Sequence, residues 1–265
     1  MQPILNIALR AARQSSEYIV QAIDRREPAN GSLANDLQLI AHLEEVIYNA
    51  LYDAMKRAHP THFIAKPGET PKEGKDDVWI VHAIHSPHNL LRKLPETAFS
   101  ITHWHKGKVQ NALVINPITG EEFSASRGSG AALNGRRIRS TAARSIDSTL
   151  LLSNTLNQVS GASAPHAVQG LVNELSAQVE RMYVGGCDTL DICRVAAGQA
   201  DALLSLNVEL SETTASLMIA REAGMLSGTL TGDLLKGGKS NLVAANPKLF
   251  KALVQRFAGW EAKAK

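Results

Sequence analysis

Ile4, Leu5, Leu9 and Ala12 recur at the spacing that brings side chains to one face of a helix, which predicts a packed helix at the start of the chain. A second amphipathic helix is expected over 35–58, with Leu37, Ile40, Val46, Ile47, Leu51 and Ala54 on its apolar face and Asn35 or Asp36 as cap. His59-Pro60 stops it, and 68–77 is a polar loop leading into a buried strand at Val78, Trp79, Ile80 and Val81. Two strands, TAFSITHWH and VQNALVINP, flank the turn Lys106-Gly107-Lys108, and a turn at Pro117–Gly120 precedes EEFSAS, so an antiparallel meander follows. After the Asn134-Gly135 turn the texture changes. Strands at Leu150–Leu152, 179–184 and Ala202–Leu206 alternate with helices at 167–178, 188–197 and 212–223, the last ended by Gly224. The pattern is α+β followed by α/β, with a soft boundary near 140–150, giving halves 1–145 and 146–265 in one compact unit.

Composition changes this picture little. A chain of 265 residues corresponds to about 1.8 domains of ordinary size, and 44% apolar with 20% charged residues is average for a globular protein, which excludes disorder, collagen and coiled coil. No run approaches the ~18 apolar residues that span a bilayer. Arg10 and Arg13 with no acid before Glu17 give the N-terminus a faint transit-peptide look, outweighed by its helical spacing. A net charge of +3 is too weak and dispersed to argue nucleic-acid binding, although the stretch from Lys248 is locally basic. Two cysteines, Cys187 and Cys193, lie close in one segment and read as reduced thiols of a cytoplasmic protein.

Several groups carry candidate chemistry. Arg127–Gly130 contains a Gly-x-Gly, but it follows a hairpin strand and lacks the Lys-Ser/Thr of a phosphate loop, so it reads as a turn. Of nine histidines, His82 and His85 sit at the end of the buried strand, and His103 and His105 are spaced to share one face of another. Imidazole clusters hold transition metals only when three or four ligands converge, and the sequence shows pairs. Glu212 heads a helix behind Ser211 as N-cap, where a carboxylate is either a metal ligand or an anion favoured by the helix dipole. Ser86-Pro87 has the form of a helix start. Cys187 follows Gly185-Gly186 before a helix, with no histidine partner nearby to activate it.

Segments spread through the chain carry a resemblance. MQPILNIALRAAR, VWIVHAIHSPHNLLRKLP, ASRGSGAALNGRRIR, GGCDTLDICRVAAGQADA, LMIAREAGMLS, LTGD and LVAANP occur in the order found in the inositol monophosphatase family, and resemble its bacterial extragenic-suppressor (SuhB) branch over essentially the whole length. The resemblance implies a five-layered αβαβα sandwich and a homodimer. It implies phosphate removal from inositol phosphates with Mg²⁺, a hard, oxygen-seeking ion that needs carboxylates. For the SuhB branch it implies contact with RNA polymerase and Nus proteins in ribosomal RNA antitermination.

Residue by residue, the resemblance also implies a degenerate site. The family's Asp-Pro-Leu/Ile-Asp-Gly-Thr is matched by His82-Ala83-Ile84-His85-Ser86-Pro87, so both ligand aspartates are histidines. A preceding Glu-Glu pair matches Ala65-Lys66, and the ligand Asp of the later motif survives in kind as Glu212. The water-activating pair matches Pro87 and His42, and proline has neither a hydroxyl nor an N–H to offer. The substrate cleft matches Ser86, Gly186, Cys187, Asp188, Thr189 and Ser205, with Asp188 placing a negative charge where an anion would sit. The expectation is a family member with lost or impaired phosphatase activity that works by protein binding. Two alternatives remain: a Mg²⁺ phosphatase rearranged around Glu212, Glu69 and Asp76, or a transition-metal site on His42, His82, His85 and Glu212.

Overall fold

The computed structural model describes residues 3–26, 33–69, 75–155, 166–257 and 259–260. Part of the predicted loop at 68–77 and the end of the basic C-terminal stretch lie outside the described residues. The chain divides into two units, Met1–Arg136 and Arg137–Lys265.

In the first unit, helices α1 (Pro3–Asp24) and α2 (Leu33–Ala58) pack on one face of a mixed sheet. The strands are β1 (Phe63–Ala65), β2 (Asp77–His85), β3 (Ala98–His105), β4 (Lys108–Ile115), β5 (Glu122–Ser126) and β6 (Gly130–Leu133). With β7 (Arg136–Ile138) they form a seven-stranded sheet in simple sequence order. The predicted meander is therefore present, and β1 adds a parallel edge that the pattern did not announce because it is only Phe63, Ile64 and Ala65. Leu5, Ile19, Leu43, Ile47 and Leu51 of the helices meet Trp79, Val81, Phe99, Ile101, Leu113 and Ile115 of the sheet. These strand residues alternate, so the same strands turn a second set, Ser100, Thr102, Ala112, Val114 and Phe123, to the opposite face, and that set is buried too. Arg13 fixes α1 to β5 through a two-pronged pair with Glu122 at 2.6 and 2.7 Å.

Helix α2 begins two residues before the expected cap. Asn35 and Asp36 are inside it, and Asp36 instead accepts from Arg26 at 2.6 Å, which ties the two helices together.

The second unit contains a five-stranded sheet of order β11-β12-β10-β8-β9. Its members are β8 (Leu150–Leu152), β9 (Arg181–Tyr183), β10 (Ala202–Glu209), β11 (Leu226–Gly228) and β12 (Lys239–Ala245). Strands β8, β9 and β10 are parallel, as the alternating helices predicted, while β12 runs antiparallel to β10 and β11. Helices α4 (His166–Gln178) and α7 (Pro247–Phe257) cover one face through Leu171, Leu175, Leu249, Leu253 and Phe257. Helices α5 (Asp188–Ala196) and α6 (Leu210–Glu222) pack together and against β10 and β12. The first unit thus has two layers, helices on a sheet, and the second has three, a sheet between two pairs of helices.

Candidate functional site

Strand β2 sets the geometry of the first candidate site. His82 pairs with Ser100 of β3 and His85 with Ala98, so three steps along β2 oppose two along β3. In a regular strand, residues three apart point to opposite faces; the bulge between them cancels that alternation and turns both imidazoles to the Ser100 face. Their rings stack with centroids 5.5 Å apart at 13°. His85 is 5% exposed and its Nε2 shares a hydrogen bond of 2.9 Å with the Ser100 hydroxyl, while Thr97 donates to its carbonyl at 2.8 Å. Burial lowers the His82 pKa to about 4; burial and the neighbouring His82 lower that of His85 to about 3. Both rings are neutral nitrogen donors at pH 7.

The chain then turns sharply. Ser86 adopts φ 58°, ψ 61°, a left-handed conformation that costs a residue with a Cβ, and Pro87 opens the one-turn helix α3 (Pro87–Leu91). Ser86 occupies the N-cap position as expected but makes no side-chain cap bond. Ala65 is fully buried in β1 opposite Ile80 and offers no ligand. His42 lies on the exposed side of α2, where its Nε2 shares a 3.0 Å hydrogen bond with the Tyr18 hydroxyl. Glu69 accepts from the Lys66 amide at 2.9 Å, and Asp76 faces Lys106 at 4.0 Å.

Magnesium does not fit this set. The end of β2 presents two neutral imidazoles, one bonded to Ser100, where a hard octahedral ion requires anionic oxygen. Among the described residues, the group of three or more His, Cys, Asp or Glu with ligand atoms mutually within 4.8 Å is His62, Asp77 and His103; His42, His82, His85 and Glu212 are not part of it.

In the second unit, three of the predicted cleft residues, Gly186, Asp188 and Ser205, bond to a residue the sequence did not single out. Asn154, two residues after β8, donates to Asp188 at 2.7 Å, and its Oδ1 accepts the Gly186 amide at 2.7 Å. Its own amide N–H donates to Ser205 at 3.1 Å, and its side chain reaches Asp191 at 3.3 Å. Gly186 holds φ 83°, which admits the turn into α5, and buried Cys187 is the N-cap. Burial pushes the Asp188 carboxyl above the usual range, while bonds from Asn154 and Ser205 pull it back. The network is thus already hydrogen-bonded within itself. Thr189 donates to the Glu212 carbonyl at 3.1 Å, joining α5 to α6.

Glu212 lies in the first turn of α6, but the cap is two residues earlier than predicted. Helix α6 begins at Leu210, and Glu209 is the N-cap, accepting from the Ser211 hydroxyl at 2.9 Å. Desolvation first, then the nearby charges of Glu209 and Asp188, raise the Glu212 pKa. The Gly-x-Gly of Arg127–Gly130 is the turn it was read as, joining β5 to β6 with Ser129 donating back to Ser126. No helix among the described residues is long and apolar enough to cross a membrane.

Comparison with known proteins agrees with the folded chain. A profile of the inositol monophosphatase family matches residues 1–259. The Nus factor SuhB of Pseudomonas aeruginosa is 33% identical over 258 residues, covering 96% of this chain and 95% of that protein. The Nus factor SuhB of Escherichia coli K12 is 28% identical over 256 residues, with 96% and 95% covered. Among solved structures, the extragenic suppressor protein suhB of Bartonella henselae superposes with a TM-score of 0.80 at 22% identity, covering 97% of this chain and all of the other. An IMPase of Thermotoga maritima gives a TM-score of 0.82 at 18% identity with both chains fully covered.

Two substitutions test this geometry. Ser86→Gly relieves the left-handed strain and should raise stability by about 0.5–1 kcal/mol, read as a higher urea midpoint at unchanged slope. An unchanged or lower midpoint would mean that the turn is not strained. Asn154→Ala leaves Asp188 and the Gly186 amide without their buried partner and should cost about 1–3 kcal/mol in the same assay.

Proposed function

This chain belongs to the inositol monophosphatase family, and from that premise we propose that it is a SuhB-like member that has given up magnesium-dependent phosphomonoester hydrolysis and acts by binding protein partners. The stacked, neutral His82–His85 pair at the end of β2 carries the reading. In the family that position supplies two carboxylates to Mg²⁺; here neither side chain offers an anionic oxygen, Pro87 cannot orient a water, and buried Ala65 has no polar group. Breaking a charge-paired constellation costs several kcal/mol per missing partner, so the loss is not made good by Glu212 alone.

The scaffold is retained while the ligands are not, and a role that uses surface is compatible with that combination. Relatives named Nus factor SuhB match across nearly the whole chain, which supports bacterial RNA polymerase and Nus proteins as the partners. We place the protein in the cytoplasm as a homodimer, in keeping with its buried thiols and with the family resemblance.

If this reading holds, millimolar Mg²⁺ shifts the melting temperature by less than a degree, because stabilisation by a ligand follows RT ln(1 + [L]/Kd) and Kd is weak. Inositol monophosphate is not turned over, and the protein binds immobilised bacterial RNA polymerase or a Nus protein at micromolar concentration or below. A large shift specific to Mg²⁺ together with turnover would overturn the loss of hydrolysis. Absence of polymerase and Nus binding would overturn the partner assignment.

A further inference from the structure

A second polar cluster lies at the other end of β2, and none of the chemistry above uses it. Asp77 opens the strand directly opposite His105, the last residue of β3, and His103 stands two residues earlier on β3. Both imidazoles reach one carboxylate oxygen: His103 Nε2 is 3.0 Å from Asp77 Oδ1 and His105 Nδ1 is 2.9 Å from the same atom. His62 Nε2 is 3.9 Å from Oδ2, and the ligand atoms of His62, Asp77 and His103 lie within 4.8 Å of one another. We propose that Asp77, His103 and His105 form a binding site for a divalent transition-metal ion of the Zn²⁺ type, with His62 stacked on the His103 ring.

The donor types and their surroundings support this assignment. Two imidazoles and one carboxylate, with water in the fourth position, make an open tetrahedral set suited to Zn²⁺ and its borderline neighbours. The strand spacing of His103 and His105 puts both on one side of β3, and both rings already meet at one carboxylate oxygen. The protonation states suit a cation. Desolvation lowers the His103 pKa against the opposing pull of Asp77, and although burial works to raise the Asp77 carboxyl, bonds from His105 and His103 hold it below its usual value.

The tautomers decide which histidine ligates. The Trp79 indole N–H can only donate, and it points at His62 Nδ1 at 3.0 Å, so the His62 proton resides on Nε2, facing Asp77. His62 Nε2 therefore carries the proton and stands 3.9 Å from the carboxylate, so it is not a ligand. His103 has the opposite freedom. Its Nδ1 is 3.0 Å from the amide of buried Asn111, whose other end receives the Ser126 hydroxyl at 2.7 Å. Turned over, that amide accepts Nδ1–H from His103 and donates to Ser126, leaving Nε2 with a lone pair for the metal. Nearby, His59 stacks on His62 at 4.6 Å, and its buried Nε2 has no hydrogen-bond partner among the described residues.

Titration of the full chain with Co²⁺, followed by visible absorption and calorimetry, tests the site. One ion per chain with the intense visible bands of a tetrahedral complex is expected, and Zn²⁺ should displace it. His105→Ala, at an exposed position that spares the fold, should weaken binding at least tenfold, and His103→Ala should abolish it. His62→Ala, which removes a ring stacked on His103 but no ligand, should weaken binding less than His105→Ala does. His88→Ala, which removes an exposed imidazole elsewhere, should change nothing. Circular dichroism without metal confirms that each variant is folded. Absence of saturable Co²⁺ binding, or binding unaffected by His105→Ala and His103→Ala in folded protein, would overturn the proposal.

Discussion

The bulge in β2 is the constraint on which the reading of this molecule rests. A strand running regularly past β3 would send residue 82 to one face and residue 85 to the other. The slipped register puts both on the Ser100 face, close enough for their rings to stack. In a metal-dependent relative such a device would aim two carboxylates at one ion. Here it aims two imidazoles at each other, and desolvation keeps both uncharged. The strand then ends in a left-handed turn that strains a serine at residue 86.

The same theme appears in the second unit by a different route. The residues matched to the substrate cleft are held in place, but Asn154 satisfies Asp188, Gly186 and Ser205 from within the fold. A buried carboxyl group with its own hydrogen-bond partners is stable where it is. Neither region is a collapsed remnant. Each is internally satisfied, which lowers the cost of polar groups that would otherwise crowd together unpaired.

Much of this was legible in the sequence because its signals are periodic or collinear. The helical spacing of Ile4, Leu5, Leu9 and Ala12, the alternation through ITHWH and the return to parallel strands after residue 150 predicted the helices, the meander and the α/β half. The ordered family segments carried the layered fold. What escaped depended on pairings across the chain. Short β1 has too few residues for a period, and the caps of α2 and α6 moved because Asp36 found Arg26 and Glu209 found Ser211. Asn154 and Asp77 look like ordinary polar residues until strand pairing brings their partners beside them. A strand-end Asp beside a His-x-His strand was the one available hint of the cluster at Asp77, and the sequence alone could not show which residues face one another.

The most direct measurement of the central claim is the protonation of His82 and His85 in the folded protein, read from imidazole chemical shifts over a pH titration with and without millimolar Mg²⁺. Unfolded histidines titrate near pH 6.5. The account predicts that both remain neutral from pH 8 down to pH 5, that they gain protons only nearer pH 4 and pH 3, and that Mg²⁺ leaves their signals unmoved. Because the folded pKa values lie below the unfolded one, stability is full above about pH 6.5 and falls with the pH through that window. Ordinary titration near pH 6.5, or signals shifted by Mg²⁺, would contradict it.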